Sequence, residues 1–155
     1  MIDSRDREIA QATLNRLLVG ASVVGIRFGA LQLILDPPEI AGESCINLSS
    51  AWLLYDKFPT SFPENESDIA DSSFEAEIAT AVSLQHKTVK SAELGDPWPH
   101  LIVTFSDGAV LYLNGKNEQY EPWIVAHYNF SPNESTQVIA CPGGDVICIP
   151  SSGER

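Results

Sequence analysis

Leu101-Ile102-Val103-Thr104-Phe105-Ser106-Asp107-Gly108-Ala109-Val110-Leu111-Tyr112-Leu113 is the stretch that decides the fold. Apolar and β-branched residues flank an Asp-Gly dipeptide on both sides, which is the pattern of two antiparallel strands joined by a tight turn. Read as a two-residue loop, Asp107-Gly108 sets Phe105 against Val110 and Val103 against Tyr112 on one face. Thr104 with Leu111 and Ile102 with Leu113 then share the other face. Both faces are largely apolar, so the hairpin is expected at the centre of a sheet and covered on both sides.

Working outward, Ser72 or Ser73 is placed to cap a helix that carries Phe74, Ile78, Ala81 and Val82 on one face. Thr88 to Leu94 reads as a strand before the hairpin, and Tyr120-Glu121-Pro122-Trp123-Ile124-Val125 closes the unit. The same order occurs nearer the N-terminus. Ser4 starts a helix to Leu18 with Ile9, Leu14, Leu17 and Leu18 near helical spacing. Strand signals follow at Ser22 to Phe28, Leu31 to Leu35, Cys45 to Leu48 and Ala51 to Tyr55, and Trp52 matches Trp123. The pattern predicts one α+β domain, residues 1–155, built by internal duplication of a helix-plus-antiparallel-strands unit. Its repeats are 4–56 and 74–126, forming a predominantly antiparallel sheet or sandwich covered by the two helices. Residues 57–73, with Pro59 and Pro63, read as an exposed acidic linker. Residues 137–150 read as a C-terminal hairpin turning at Gly143-Gly144, which pairs Cys141 with Val146 and Cys148 with Ile139.

Charge narrows the partners. Among 155 residues, nine basic side chains stand against twenty-one acidic ones, a net charge of −12. Such a field repels nucleic acid and anionic membranes and attracts basic proteins. No basic residue lies between Lys57 and Lys87, and Glu64, Glu66, Asp68, Asp71, Glu75 and Glu77 all fall in that gap. These six form a candidate contact stripe; the competing reading is a solvated acidic face. Trp98, in Gly95-Asp96-Pro97-Trp98-Pro99, is either a rigid loop anchor for a partner or a ring folded back over a sheet edge.

The apolar run Leu17 to Ile26 is closed by Arg16 and Arg27, short of the roughly 20 residues a spanning helix needs. The mixed-charge N-terminus lacks a signal-peptide pattern. Cys45, Cys141 and Cys148 are odd in number and read as small buried hydrophobes. A soluble, cytoplasmic protein is therefore expected. His86, His100 and His127 have no metal-ligand spacing, and no phosphate-binding glycine loop, nucleophile elbow or zinc-binding helix motif is present. The expectation is a protein without metal, cofactor or catalysis that acts by binding.

The hairpin run from Leu101, followed by Tyr120-Glu121-Pro122-Trp123, resembles small bacterial proteins with a "Leu-x-Leu-x-Phe-x-Asp-Gly … Tyr-Glu-x-Trp" signature. That group looks like the immunity proteins of bacterial polymorphic toxin systems. The resemblance covers the second repeat; the first has neither an Asp-Gly turn nor a Tyr-Glu before Trp52. It implies a cytosolic antidote that binds a cognate toxin, and it carries over no catalytic residue. The alternative is a small-ligand or adaptor module whose sheet encloses an apolar cavity lined by Trp52, Trp123 and Tyr112.

Overall fold

The first helix, α1 (Ser4–Leu18), spans the expected residues but is capped by Asp3 rather than Ser4: the Asp3 carboxylate accepts from the Arg5 N–H at 2.9 Å. A carboxylate at this place satisfies an amide that has no partner inside the helix and suits its positive end. Ala10, Leu14, Leu17 and Leu18 are fully buried, and burial of each leucine contributes roughly 2 kcal/mol. In the computed structural model, which describes residues 3–48, 50–129 and 135–150, α1 is followed by β1 (Ser22–Arg27), β2 (Gln32–Asp36), β3 (Glu43–Asn47) and β4 (Trp52–Tyr55). A connector with one short turn of 3-10 helix (Glu66–Asp68) leads to α2 (Phe74–Val82). Then come β5 (Val89–Leu94), β6 (Leu101–Phe105), β7 (Val110–Leu113), β8 (Ile124–Tyr128), β9 (Ser135–Ala140) and β10 (Val146–Ile149).

The strands form two antiparallel sheets, ordered β1-β2-β3-β8-β9-β10 and β4-β7-β6-β5. Inward-facing residues of both, with α1, make one core that includes Leu33, Leu35, Ile46, Val103, Phe105, Leu111 and Trp123. The α+β class and the antiparallel sheets are as the sequence predicts. Each half contributes three neighbouring strands and sends its fourth across to the other sheet, β4 to β7 and β8 to β3. That shared strand order is what a superposition of residues 8–56 on 74–126 would test for duplication. The sheets meet at a corner, where Gly20 N–H donates to Val89 O and Val89 N–H to Ala21 O at 2.9 and 2.8 Å.

Three expectations are corrected. The register of both hairpins shifts by one residue. Phe105 N–H bonds Ala109 O, and Val103 pairs Leu111 while Ile102 pairs Tyr112. The loop has three residues, with Gly108 at φ +95 and the Asp107 carboxylate accepting from the Ala109 N–H. A turn followed by a left-handed residue costs a glycine nothing, and its twist suits the strands. At the C-terminal hairpin the Cys141 N–H likewise bonds Asp145 O, so Val146 pairs Ala140 and Cys148 pairs Val138. Because the side-chain period is two, the shift groups Val103 with Leu111 in the core and turns Tyr112 outward.

The helices are unequal covers. In α2 only Ala81 is buried, and the expected inward residues Phe74 and Val82 are 48% and 51% exposed. Ser73 does cap it, accepting from the Ala76 N–H at 3.1 Å. The outward face of the four-stranded sheet is covered by the connector instead. Phe62 stacks on Tyr112 with ring centres 4.7 Å apart, Phe58 and Tyr55 pack edge-on to Phe62, and the Tyr112 hydroxyl donates to Pro63 O at 2.5 Å. Most of residues 57–73 are exposed, and within them Phe58 and Phe62 form an aromatic flap over the sheet.

Candidate functional site

The second half of the connector, the outer edge of β4 and α2 bound a cleft of about 630 Å³. Trp52, Leu53 and Leu54 lie along one wall; Ile69, Ala70, Asp71, Glu77 and Thr80 lie along the other. Glu66 and Tyr120 also line it. The six carboxylates of the predicted stripe divide here. Glu66 is a tie: it accepts from the Tyr120 hydroxyl at 2.7 Å, from Asn117 Nδ2 at 3.1 Å and from the Ala51 N–H at 3.4 Å. Burial, and then the bond to that carboxylate, push the Tyr120 phenol up to about 12. Glu64 is exposed and lends its backbone carbonyl to Asn114 Nδ2 at 2.9 Å, while Asp68 accepts from Asn65. Asp71, Glu75 and Glu77 take part in none of the ion pairs among the described residues, which are Arg7–Asp96, Arg27–Glu43 and Lys87–Asp107.

Residues 114–120 hold the connector in place. Gly115 sits where a β-carbon would lie 2.1 Å from Pro99 O, so only glycine lets this loop run so close to the Pro99–His100 backbone that leads into β6. Its N–H donates to His100 Nδ1 at 2.9 Å. Burial pulls the His100 imidazole down to about 4, so the ring is neutral and keeps that acceptor at physiological pH. Lys116 reaches Asn65 Oδ1 at 2.9 Å and lies 5.3 Å from the Trp98 ring centre. Trp98 is half-buried and packs over Gly144, where any added β-carbon would meet the ring at 3.2 Å. The ring thus folds back on the C-terminal hairpin, and through Lys116 it joins the same network as Asn65 and Glu66.

The remaining sequence candidates are structural. His127 is buried between Ser44 Oγ at 3.1 Å and Ala41 O at 2.8 Å. Cys45 is buried, Cys141 and Cys148 are half-buried, all are free thiols, and desolvation is the first cause raising each of them. Among the described residues, no group of three or more His, Cys, Asp or Glu is placed to hold a metal. Trp52, Trp123 and Tyr112 do not share a cavity. Trp123 is fully buried with its Nε1–H donated to Pro99 O at 2.6 Å, and Tyr112 faces the flap, opposite to its neighbour Leu113. Trp52 is the exception: it is 8% exposed, lines the cleft, and its Nε1–H has no acceptor among the described residues. Sequence reading missed Tyr120, Asn117 and the β4 edge. The asparagine-rich run Asn114-Gly115-Lys116-Asn117 was the available signal, because asparagine side chains bind loop backbones.

No protein-family model, curated protein or solved structure matches the chain. No described helix is long and apolar enough to cross a membrane.

Proposed function

We propose that this chain is a binding protein of the immunity type, a cytoplasmic antidote that neutralises a basic toxin by covering it rather than by any reaction of its own. The observation that carries the reading is the cleft beside β4, whose rim holds Asp71 and Glu77 with Glu75 next to them and no lysine or arginine among its lining residues. In a chain of net charge −12, carboxylates without cationic neighbours attract a cationic protein surface. A toxin that acts on an anionic substrate, such as a nuclease, has such a surface in its substrate groove. Glu64, Glu66 and Asp68 serve this reading indirectly, by holding the connector that presents the rim. Trp98 does so by packing the loop that braces it.

The test is co-expression with the protein encoded beside this gene, followed by kinetics on the purified pair. The wild type should restore growth and bind with an association rate that falls steeply with salt. Asp71→Lys, Glu75→Lys and Glu77→Lys together should slow association about tenfold or more at low salt and flatten that salt dependence. An unchanged association rate would remove the acidic rim from the interface. A neutral or acidic partner would remove the toxin class proposed.

A further inference from the structure

The two edges of the four-stranded sheet are finished differently. On β5, Gln11 of α1 mimics a neighbouring strand: its Nε2 donates to Ala92 O at 2.6 Å and its Oε1 accepts from the Leu94 N–H at 3.1 Å. Arg7 donates to Gly95 O just beyond. On the other side β4 pairs with β7 alone among the described strands. The Asn114 N–H donates to Ala51 O at 3.0 Å, which sets the alternation of that ladder. Leu53 and Tyr55 turn their backbone groups toward β7, and Trp52 and Leu54 turn theirs away from it, to the side of the cleft.

Two further observations concern what belongs there. Trp52 lines the cleft and its buried indole N–H has no acceptor among the described residues, an omission that folded proteins rarely tolerate. The other wall supplies Asp71 and Glu77 and no cation. We propose that the cleft receives an extended lysine- or arginine-bearing segment of the protein partner, added to β4 as a fifth strand. The inference rests on the acidic-surface reading above and adds its binding mode. The incoming backbone pairs with the outward groups of Trp52 and Leu54. Alternate side chains carry their charge to Asp71 and Glu77, and an acceptor on the segment meets Trp52 Nε1–H. A four-residue pairing spans about 13 Å, at roughly 3.3 Å per residue.

The probe is a blocked six-residue peptide of alternating lysine and valine, compared with the same peptide N-methylated at alternate backbone nitrogens. Amide exchange and the indole proton are followed by NMR. The parent peptide should slow exchange of the Trp52 and Leu54 amides at least tenfold at saturation and shift the Trp52 indole N–H. Leu53 and Tyr55, already bonded to β7, should change little. The N-methylated peptide should bind at least tenfold more weakly. Asp71→Asn with Glu77→Gln should weaken the parent peptide severalfold, and Leu54→Pro should abolish its binding. Proline is tolerated where the lost N–H makes no ladder bond; if Leu54→Pro does not fold, the peptide pair on the wild type still decides. Equal binding of the two peptides would overturn strand addition and leave the acidic-surface reading standing. Binding of neither at low salt would overturn both. A dimer with protected Trp52 and Leu54 amides in the absence of peptide would place a second copy on the edge and overturn the partner proposed.

Discussion

The edges of the four-stranded sheet form a natural pair for comparison. At β5 a helix lies along the strand and Gln11 takes up the Ala92 carbonyl and the Leu94 amide, while the cleft beside Lys90–Leu94 is lined by the cations Arg16 and Lys90 as well as Glu39 and Glu93. At β4 the connector's Glu66 accepts from the Ala51 N–H just before the strand, and a cleft remains beside Trp52, Leu53 and Leu54. Exposed edges invite pairing with other chains, and proteins usually block them. One edge here is blocked by a helix that also supplies four core residues. The other is left beside carboxylates, which would repel acidic copies of the same chain and, in the proposed binding mode, favour a basic segment. An edge can thus be protected by charge instead of cover, and it then stays available to a partner of the opposite sign.

The comparison can be broken most forcefully from the β5 side. Leu14→Ala removes a fully buried side chain beneath α1, and it should cost about 2 to 5 kcal/mol in urea unfolding. If it also lifts the helix, the Leu94 amide should exchange faster and β5 should come to resemble β4. A loss under about 1 kcal/mol would mean that α1 is not an integral wall of the core.

A finer cut compares the two side chains that touch strand edges. Gln11→Ala removes two bonds to part-buried backbone groups and should cost about 1 to 2 kcal/mol. Glu66→Gln keeps the shape of its tie but loses the charge that strengthens the bonds from Tyr120 and Asn117, so about 1 kcal/mol is expected. Its Tyr120 phenol should titrate lower than in the wild type, which absorbance at alkaline pH will read. If Gln11→Ala costs nothing while Glu66→Gln is severe, the blocked edge has been misassigned.

A further expected effect is a pH dependence at the 114–120 loop that braces the connector. The His100 imidazole sits at about 4 in the fold against an ordinary value of 6.5. The unfolded chain therefore binds its proton first, so this contribution is complete above about pH 6.5 and declines as pH falls toward about 4. His100→Asn retains an acceptor for the Gly115 N–H without the titration, and it should flatten that part of the stability profile. An unchanged slope would mean that other groups carry it.

Much of the strand inventory was legible because its signals are local. Alternating or continuous apolar runs bounded by glycine mark β6, β7, β9 and β10, and the Ser4–Leu18 helix ends where its apolar face ends. Register was not legible. Whether Asp107-Gly108 is a two-residue turn or the end of a three-residue loop depends on which carbonyl the Phe105 amide meets, and one residue of difference exchanges the faces of Val103 and Tyr112. The acidic stripe was legible as composition and misleading as a unit. Adjacent carboxylates such as Glu64 and Glu66 meet different neighbours from loop 114–120, which lies about 50 positions away in the chain.

By itself the sequence determined the α+β class, most element positions and the sign of the net charge, since propensity, periodicity and charge are properties of short segments. Only the tertiary structure decided which sheet each fourth strand joins, which edge is covered, and which carboxylates remain unpaired. Those outcomes depend on contacts between distant segments, each chosen by competition for the same backbone groups and the same buried volume. Glu66 became a tie because Tyr120 and Asn117 arrived beside it, and Asp71 takes part in none of the ion pairs among the described residues.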